Sequence, residues 1–208
     1  MRHLRSILAA SLLAVSVGAF AQHQAHDVAS MRPVGKPAPT AKLLSKAEAT
    51  AKASGKNVLV IFHASWCGWC KKLDAFMQDP QYKQIFDDNF VVVKLTVLET
   101  DDQKVNENPG GIEEMDALGG RDAGLPLFAI LNPQGKMVMN SMFKSEGQDK
   151  PANTGFPAAS EEVDHFAAMM KAGAPKATPE QIKAMCEYLT AQEAARKAAA
   201  AKAAGGGH

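Results

Sequence analysis

Cysteine is scarce in this chain. Three residues in 208 are too few for a framework of several disulfides. An excess of one charge is missing as well. Twenty-three Lys and Arg stand against 22 Asp and Glu, a formal net charge of +1. Such a balance provides no global field to attract nucleic acid or an anionic membrane, so neither is expected as a partner. Beyond the N-terminus no apolar run reaches the ~20 residues that a membrane-spanning helix needs. There is no second Cys-x-x-Cys and no His-x-x-x-His, so a zinc site would lack obvious ligands, and no metal or cofactor is expected. With 46% apolar and 22% charged residues, the composition suits a folded domain rather than a disordered chain. Within it, Cys67 and Cys70 stand three positions apart.

The ends separate from the middle by pattern. Arg2 and Arg5 precede the apolar stretch Ser6–Phe20, and Ala19-Phe20-Ala21 fits a small-x-small cleavage site. Residues 1–21 therefore read as a cleavable export signal of bacterial type. Its removal takes the net charge to −1 and leaves no stable membrane insertion. The periplasm, where disulfides persist, is the expected destination. Residues 22–40 hold His23, His26, Pro33, Pro37 and Pro39 without apolar periodicity and read as an extended leader. The two histidines, with no third ligand nearby, are expected to be solvated. Residues 191–208, with nine Ala and a closing Gly-Gly-Gly-His, read as a tail that is helical or disordered.

Helix and strand signals alternate in the remaining residues. Ser45-Lys46-Ala47-Glu48 is a capping box that predicts a helix ending at Gly55. The run Val58–Phe62 predicts a strand covered on both faces, and Phe90–Leu98 a second one. Cys70, Leu73, Phe76 and Met77 recur at helical spacing until Asp79-Pro80 breaks the pattern. A further turn carries Ile85 and Phe86, and Ile112–Leu118 predicts a short helix stopped by Gly119-Gly120. Leu127–Leu131 and Lys136–Met142 form a hairpin across Asn132-Pro133-Gln134-Gly135. Val163, Phe166, Ala167 and Met170 mark another helix, and Thr178-Pro179-Glu180-Gln181 caps an additional one over 176–190. The order predicts a small α/β domain over 41–175, a mixed central sheet with helices on both faces, followed by an extra C-terminal helix.

Trp66-Cys67-Gly68-Trp69-Cys70 falls between a strand and an amphipathic helix. Unpaired N–H groups and the positive end of the dipole at a helix start stabilise an anion. Cys67 gains most, because such positions bring a thiol from about 8.5 to roughly 3.5–7.5. Cys70, nearly one helical turn on, lies within bonding reach. The first sulfur can attack a disulfide and the second can resolve the product. A zinc site and an inert structural disulfide compete with this reading, although a bridge closing so small a loop is a poor staple. Covalent haem attachment fails because Lys71, not His, follows Cys70. Cys186 shares the apolar stripe of the last helix with Ile182, Met185 and Leu189, which points to a structural role. His63 reads as structural or partly exposed.

Val60 through Lys71, with Trp66-Cys67-Gly68-Trp69-Cys70 at its centre, resembles the active-site segment of the thioredoxin superfamily. Gly124-Leu125-Pro126-Leu127-Phe128 resembles its cis-proline segment, and Lys94 the lysine of its central strand. The likeness runs over about residues 45–171 and is nearest to exported bacterial thioredoxin-like proteins. It implies a thioredoxin-like fold and a thiol–disulfide oxidoreductase acting on protein thiols or disulfides with an unidentified redox partner. Cys67 would be the nucleophile and Cys70 the resolving thiol, with Gly68, Trp69 and Lys94 in support. A cis Pro126 would leave the backbone of Leu125 free for an extended substrate, and Trp66 would wall the site. Ile61 stands where the family carries a buried Asp, so Lys94 is expected to turn to the cysteines or to Glu99, or to snorkel outward. That departure keeps a second reading open, a non-catalytic binding or chaperone module. Gly-Trp between the cysteines is closer to the isomerase pattern than to the Gly-Pro of thioredoxin.

Overall fold

The computed structural model describes residues 36–205. The proposed export signal and most of the leader lie outside them, as do His23 and His26. Six helices and six strands follow in the order α1 (Thr40–Ser54), β1 (Asn57–His63), α2 (Gly68–Gln78), α3 (Lys83–Asn89), β2 (Phe90–Thr96), α4 (Gly111–Ala117), β3 (Leu127–Leu131), β4 (Met137–Asn140), β5 (Met142–Phe143), β6 (Ala152–Asn153), α5 (Ser160–Gly173) and α6 (Pro179–Gly205). Among these residues no helix is long and apolar enough to cross a membrane.

The main sheet has the order β2-β1-β3-β4, with β1 parallel to β2 and antiparallel to β3. Strand alternation divides its side chains between two cores. Leu59, Ile61, Phe128 and Ile130 meet α2, α3, α5 and α6 on one face. Val58, Val60, Phe62, Leu127, Ala129 and Leu131 meet α1 and α4 on the other. Covered on both sides, β1 and β3 read as the unbroken apolar runs that such strands require. The molecule has the mixed α/β thioredoxin-like fold with one helix, α6, added at the C-terminal end.

Two expectations need correction. The helix predicted from the Ser45–Glu48 box begins earlier, at Thr40. Its start is held by tertiary contacts instead, Thr40 N–H donating to Pro109 C=O at 2.9 Å and Asn108 Nδ2 to Ala38 C=O at 2.9 Å. Strand β2 is not covered on both faces. It is the sheet edge, so Val93 and Leu95 are buried while Val92 and Lys94 face outward. The last helix continues without a break to Gly205, so the tail takes the helical of its two expected forms as far as that residue. Alanine favours that continuation, and Glu193 pairs with Arg196 and Lys197.

Phe76 on α2 sits at the centre of an aromatic cluster. Tyr82 lies 5.1 Å away by ring centroids, Tyr188 stacks at 5.2 Å, and Phe86, Phe156 and Phe166 complete the shell. Through Tyr188, with Ile182, Met185 and Leu189 buried beside it, α6 becomes part of the core under α2. Met185 is fully buried. Met185→Ala should therefore lower the unfolding free energy in urea by about 2–5 kcal/mol, through lost apolar burial and the cavity left behind. Lys183→Ala, which breaks only the exposed Lys183–Glu187 pair, should change it by less than ~0.5 kcal/mol.

Candidate active site

Strand β1 ends at His63, and a tight turn delivers Cys67 to the N-cap of α2. Cys67 has extended backbone angles, φ −73° and ψ 102°, and its Sγ accepts the Cys70 N–H at 3.1 Å. An amide of the first helical turn thus points at the first sulfur, as the position in the sequence implies. Cys67 and Cys70 are joined as a disulfide, with Cα atoms 5.3 Å apart. Both are buried, packed with Ala64 and against Leu125. Gly68 opens the helix with free space around it. Among the described residues no group of three or more His, Cys, Asp or Glu is arranged to hold a metal ion.

The two tryptophans flank the pair on the surface. Trp66 is 55% exposed and donates its indole N–H to Leu98 C=O at 2.8 Å. Leu98 holds that carbonyl in place from a left-handed conformation, φ 54°, which is uncommon for a residue other than glycine. Trp69 stacks on Phe156 at 6.2 Å, and the Lys72 ammonium lies 4.3 Å from its ring centre.

The peptide bond between Leu125 and Pro126 is cis. Among the described residues neither the N–H nor the C=O of Leu125 takes part in a backbone hydrogen bond, so both remain available. A residue the sequence reading did not single out, Asn153, clamps this loop. Its Nδ2 donates to Gly124 C=O at 2.6 Å and Pro126 C=O at 2.9 Å, while its Oδ1 accepts from Ser141 Oγ at 2.7 Å. No local pattern announces it, because its partners are 27 and 29 residues away. Beside the loop runs a groove of about 680 Å³, bordered by Trp69, Leu125, Asn153 and Phe156 and reached by Arg196 of α6.

Lys94 does not turn to the cysteines or to Glu99. It lies opposite Ile61 in the β1–β2 register, and its ammonium pairs with Asp74 of α2. At the sheet edge its side chain stays about two-fifths exposed, so the charge loses little hydration. Glu99 is buried and serves the active-site turn instead. One of its carboxylate oxygens accepts Ser65 N–H at 2.7 Å and the other accepts Ser65 Oγ at 2.7 Å. Its own N–H donates to Glu107 Oε1 at 2.8 Å. The remaining cysteine, Cys186, is half-buried on α6 against the aromatic core, and burial raises its thiol pKa.

Glu99→Ala should cost about 1.5–3 kcal/mol in chemical denaturation, the usual worth of hydrogen bonds to a charged acceptor. Ser65→Ala, which removes only the hydroxyl contact, should cost less. Glu99→Ala should also loosen the turn before Cys67, which amide hydrogen exchange at residues 64–67 would register.

Several known proteins are similar to this chain. The family described as "Thioredoxin-like" matches residues 40–133. A protein disulfide-isomerase of Hordeum vulgare is 34% identical over 85 residues, 41% of this chain and 14% of that protein. The thiol:disulfide interchange protein DsbD of Vibrio cholerae is 30% identical over 123 residues, 59% of this chain and 17% of that one. The chain thus spans well under a fifth of the length of these curated relatives. A solved structure described as a disulphide isomerase from Xylella fastidiosa Temecula1 aligns over 76% of this chain and 96% of its own, at 21% identity and a TM-score of 0.44. From its sheet order, its cis Leu125–Pro126 bond and its N-capping cysteine, the chain is a thioredoxin-fold protein carrying an intact disulfide-forming Cys67-Gly-Trp-Cys70 pair.

Proposed function

We propose that the protein is an exported thiol–disulfide oxidoreductase that exchanges disulfides with protein substrates in the periplasm. The observation that carries this reading is the Cys70 N–H directed at Cys67 Sγ, beside a groove along which the Leu125 backbone is free. In the reduced protein the Cys67 thiolate attacks a substrate disulfide, forming a mixed disulfide and releasing one substrate thiolate. The Cys70 thiolate then attacks Cys67 Sγ, closing the Cys67–Cys70 bond and releasing the second substrate sulfur. Run in reverse, the same two steps oxidise a substrate dithiol. The reading is supported by the similar proteins, which are described as disulfide isomerases and a disulfide interchange protein. The basic start, apolar stretch and cleavage pattern of residues 1–21 support export.

Cys70→Ala removes the resolving thiol, so it should accumulate reductant-sensitive complexes through Cys67 in extracts of the expressing cells. Absence of such complexes, with a wild-type pair that glutathione cannot reduce in the native state, would sink the proposal. The non-catalytic reading draws on Arg196, which α6 brings to the edge of the groove. It would be favoured if a Cys67→Ser, Cys70→Ser double variant kept full function in cells.

A further inference from the structure

Behind Cys70 lies a recess of about 160 Å³ that the exchange reaction described above leaves unused. Ile61, His63, Ser65, Cys70, Asp74 and Lys94 all contribute to its wall. Its position follows from the sheet. Ile61 and His63 are two residues apart on β1 and point to the same face, the one covered by α2. On α2, Cys70 and Asp74 are one turn apart and share a side of the helix. Strand and helix therefore bring an imidazole, a carboxylate–ammonium pair and the second cysteine around one opening. At ~30 Å³ per molecule in the liquid, the recess has room for a short run of water.

The chemistry of Cys70 calls for such a feature. Only a thiolate attacks a disulfide, and Cys70 is buried without the directed helix amide that favours the charged form at Cys67. Before it can resolve a mixed disulfide it must pass its proton to a neighbouring base. Ile61, on the recess wall, has no group to take it. Asp74 is already engaged by the Lys94 ammonium. His63 is the remaining base on the wall. Its Nε2 lies 3.4 Å from Thr96 Oγ1, a contact that leaves the other ring nitrogen uncommitted. Burial first, and the Lys94 charge second, lower the His63 pKa, while Glu99 and Asp74 act in the opposite sense. The imidazole is accordingly neutral near pH 7 and able to accept.

The geometry points to His63 as the proton acceptor for Cys70, working through water in the recess that the Asp74–Lys94 pair borders. This assignment rests on the oxidoreductase reading and specifies how its second step runs. The Cys70 S–H bond breaks and its proton passes to neutral His63. The Cys70 sulfur then bonds to Cys67 Sγ, and the Cys67–substrate bond breaks with its electron pair on the substrate sulfur. The imidazolium gives its proton back to the departing thiolate or to solvent. The charged groups facing His63 are Asp74 and Lys71 on α2, Lys94 on β2 and Glu99 on the loop that follows it.

The test is a rapid acid-quench measurement of how fast a Cys67–peptide mixed disulfide is resolved, as a function of pH. In the wild type the rate should rise as His63 deprotonates, with a midpoint matching the His63 titration seen by NMR and lying below the ordinary imidazole value of about 6.5. His63→Gln should remove that step and slow resolution at pH 7 by at least about 100-fold, the lower end for general-base catalysis. Its deficit should shrink toward high pH, where Cys70 ionises unaided. Formation of the mixed disulfide by Cys67, measured in a Cys70→Ala background, should be unchanged by His63→Gln. Wild-type resolution in His63→Gln, or loss of the pH step in an Asp74→Asn variant, overturns the assignment. So does a mismatch between the NMR and kinetic midpoints in the wild type, a readout that needs no variant to fold. If the wild type forms no mixed disulfide at all, it is the oxidoreductase reading that fails.

Discussion

The hydrogen bond from the Cys70 amide to Cys67 Sγ is the contact around which this molecule is organised. It exists because Cys67 is the last residue before α2 takes on helical angles, where the first-turn N–H groups have no partner within the helix. Anionic groups at such a position gain roughly 0.3–1 kcal/mol from the helix dipole when exposed, and more when partly buried. Cys67 is almost wholly buried, so the directed N–H counts for more than it would in water. A strand that overshot by one residue, or a helix that began one residue later, would aim that amide elsewhere.

Two kinds of support hold the position. The first is apolar. Strand β1 is buried from Val58 to Phe62, and α2 is anchored by Phe76 within its aromatic shell, to which α6 contributes Tyr188. Neither end of the turn can then shift without opening a core. The second is polar and local to the site. Glu99 grips Ser65 ahead of Cys67, Leu98 receives the Trp66 indole, and Asn153 ties the cis-proline loop through two carbonyls. These bonds lie at the sheet end, where strands stop pairing and the loops need other partners.

The two cysteines end in different surroundings although they are bonded to each other. Cys67 meets the helix amide, with Leu125 packed beside the pair. Cys70 faces the opposite way, toward a recess with an imidazole and a carboxylate–ammonium pair. That asymmetry assigns different work to sulfurs of the same kind. In place of a carboxylate on β1 at residue 61, the charged groups sit on α2 and the edge strand. The ion pair there is half in solvent, where it is cheap to keep and modest in worth.

Local pattern alone was enough to place β1, α2, the β3–β4 hairpin and the cysteine pair. Each rests on a short-range rule: an apolar run, a 3.6-residue stripe, a turn sequence, a helix start. The burial of Cys70, Leu73, Phe76 and Met77 on α2 follows that stripe residue by residue. Helix α1 begins ahead of its capping box because its start is stabilised by Pro109, far along the chain, rather than by its own side chains. The apolar composition of β2 suits a covered strand and cannot show that β2 lies at the sheet edge. Lys94 with Asp74, Glu99 with Ser65, Asn153 with Gly124, and His63 beside Cys70 were decided by the tertiary structure alone. These pairs lie on different elements, in most cases 20 or more residues apart, and only the packed sheet brings them together. A sequence determines which groups are present and how each segment folds by itself, whereas contact between distant polar groups depends on where the strands and helices come to rest.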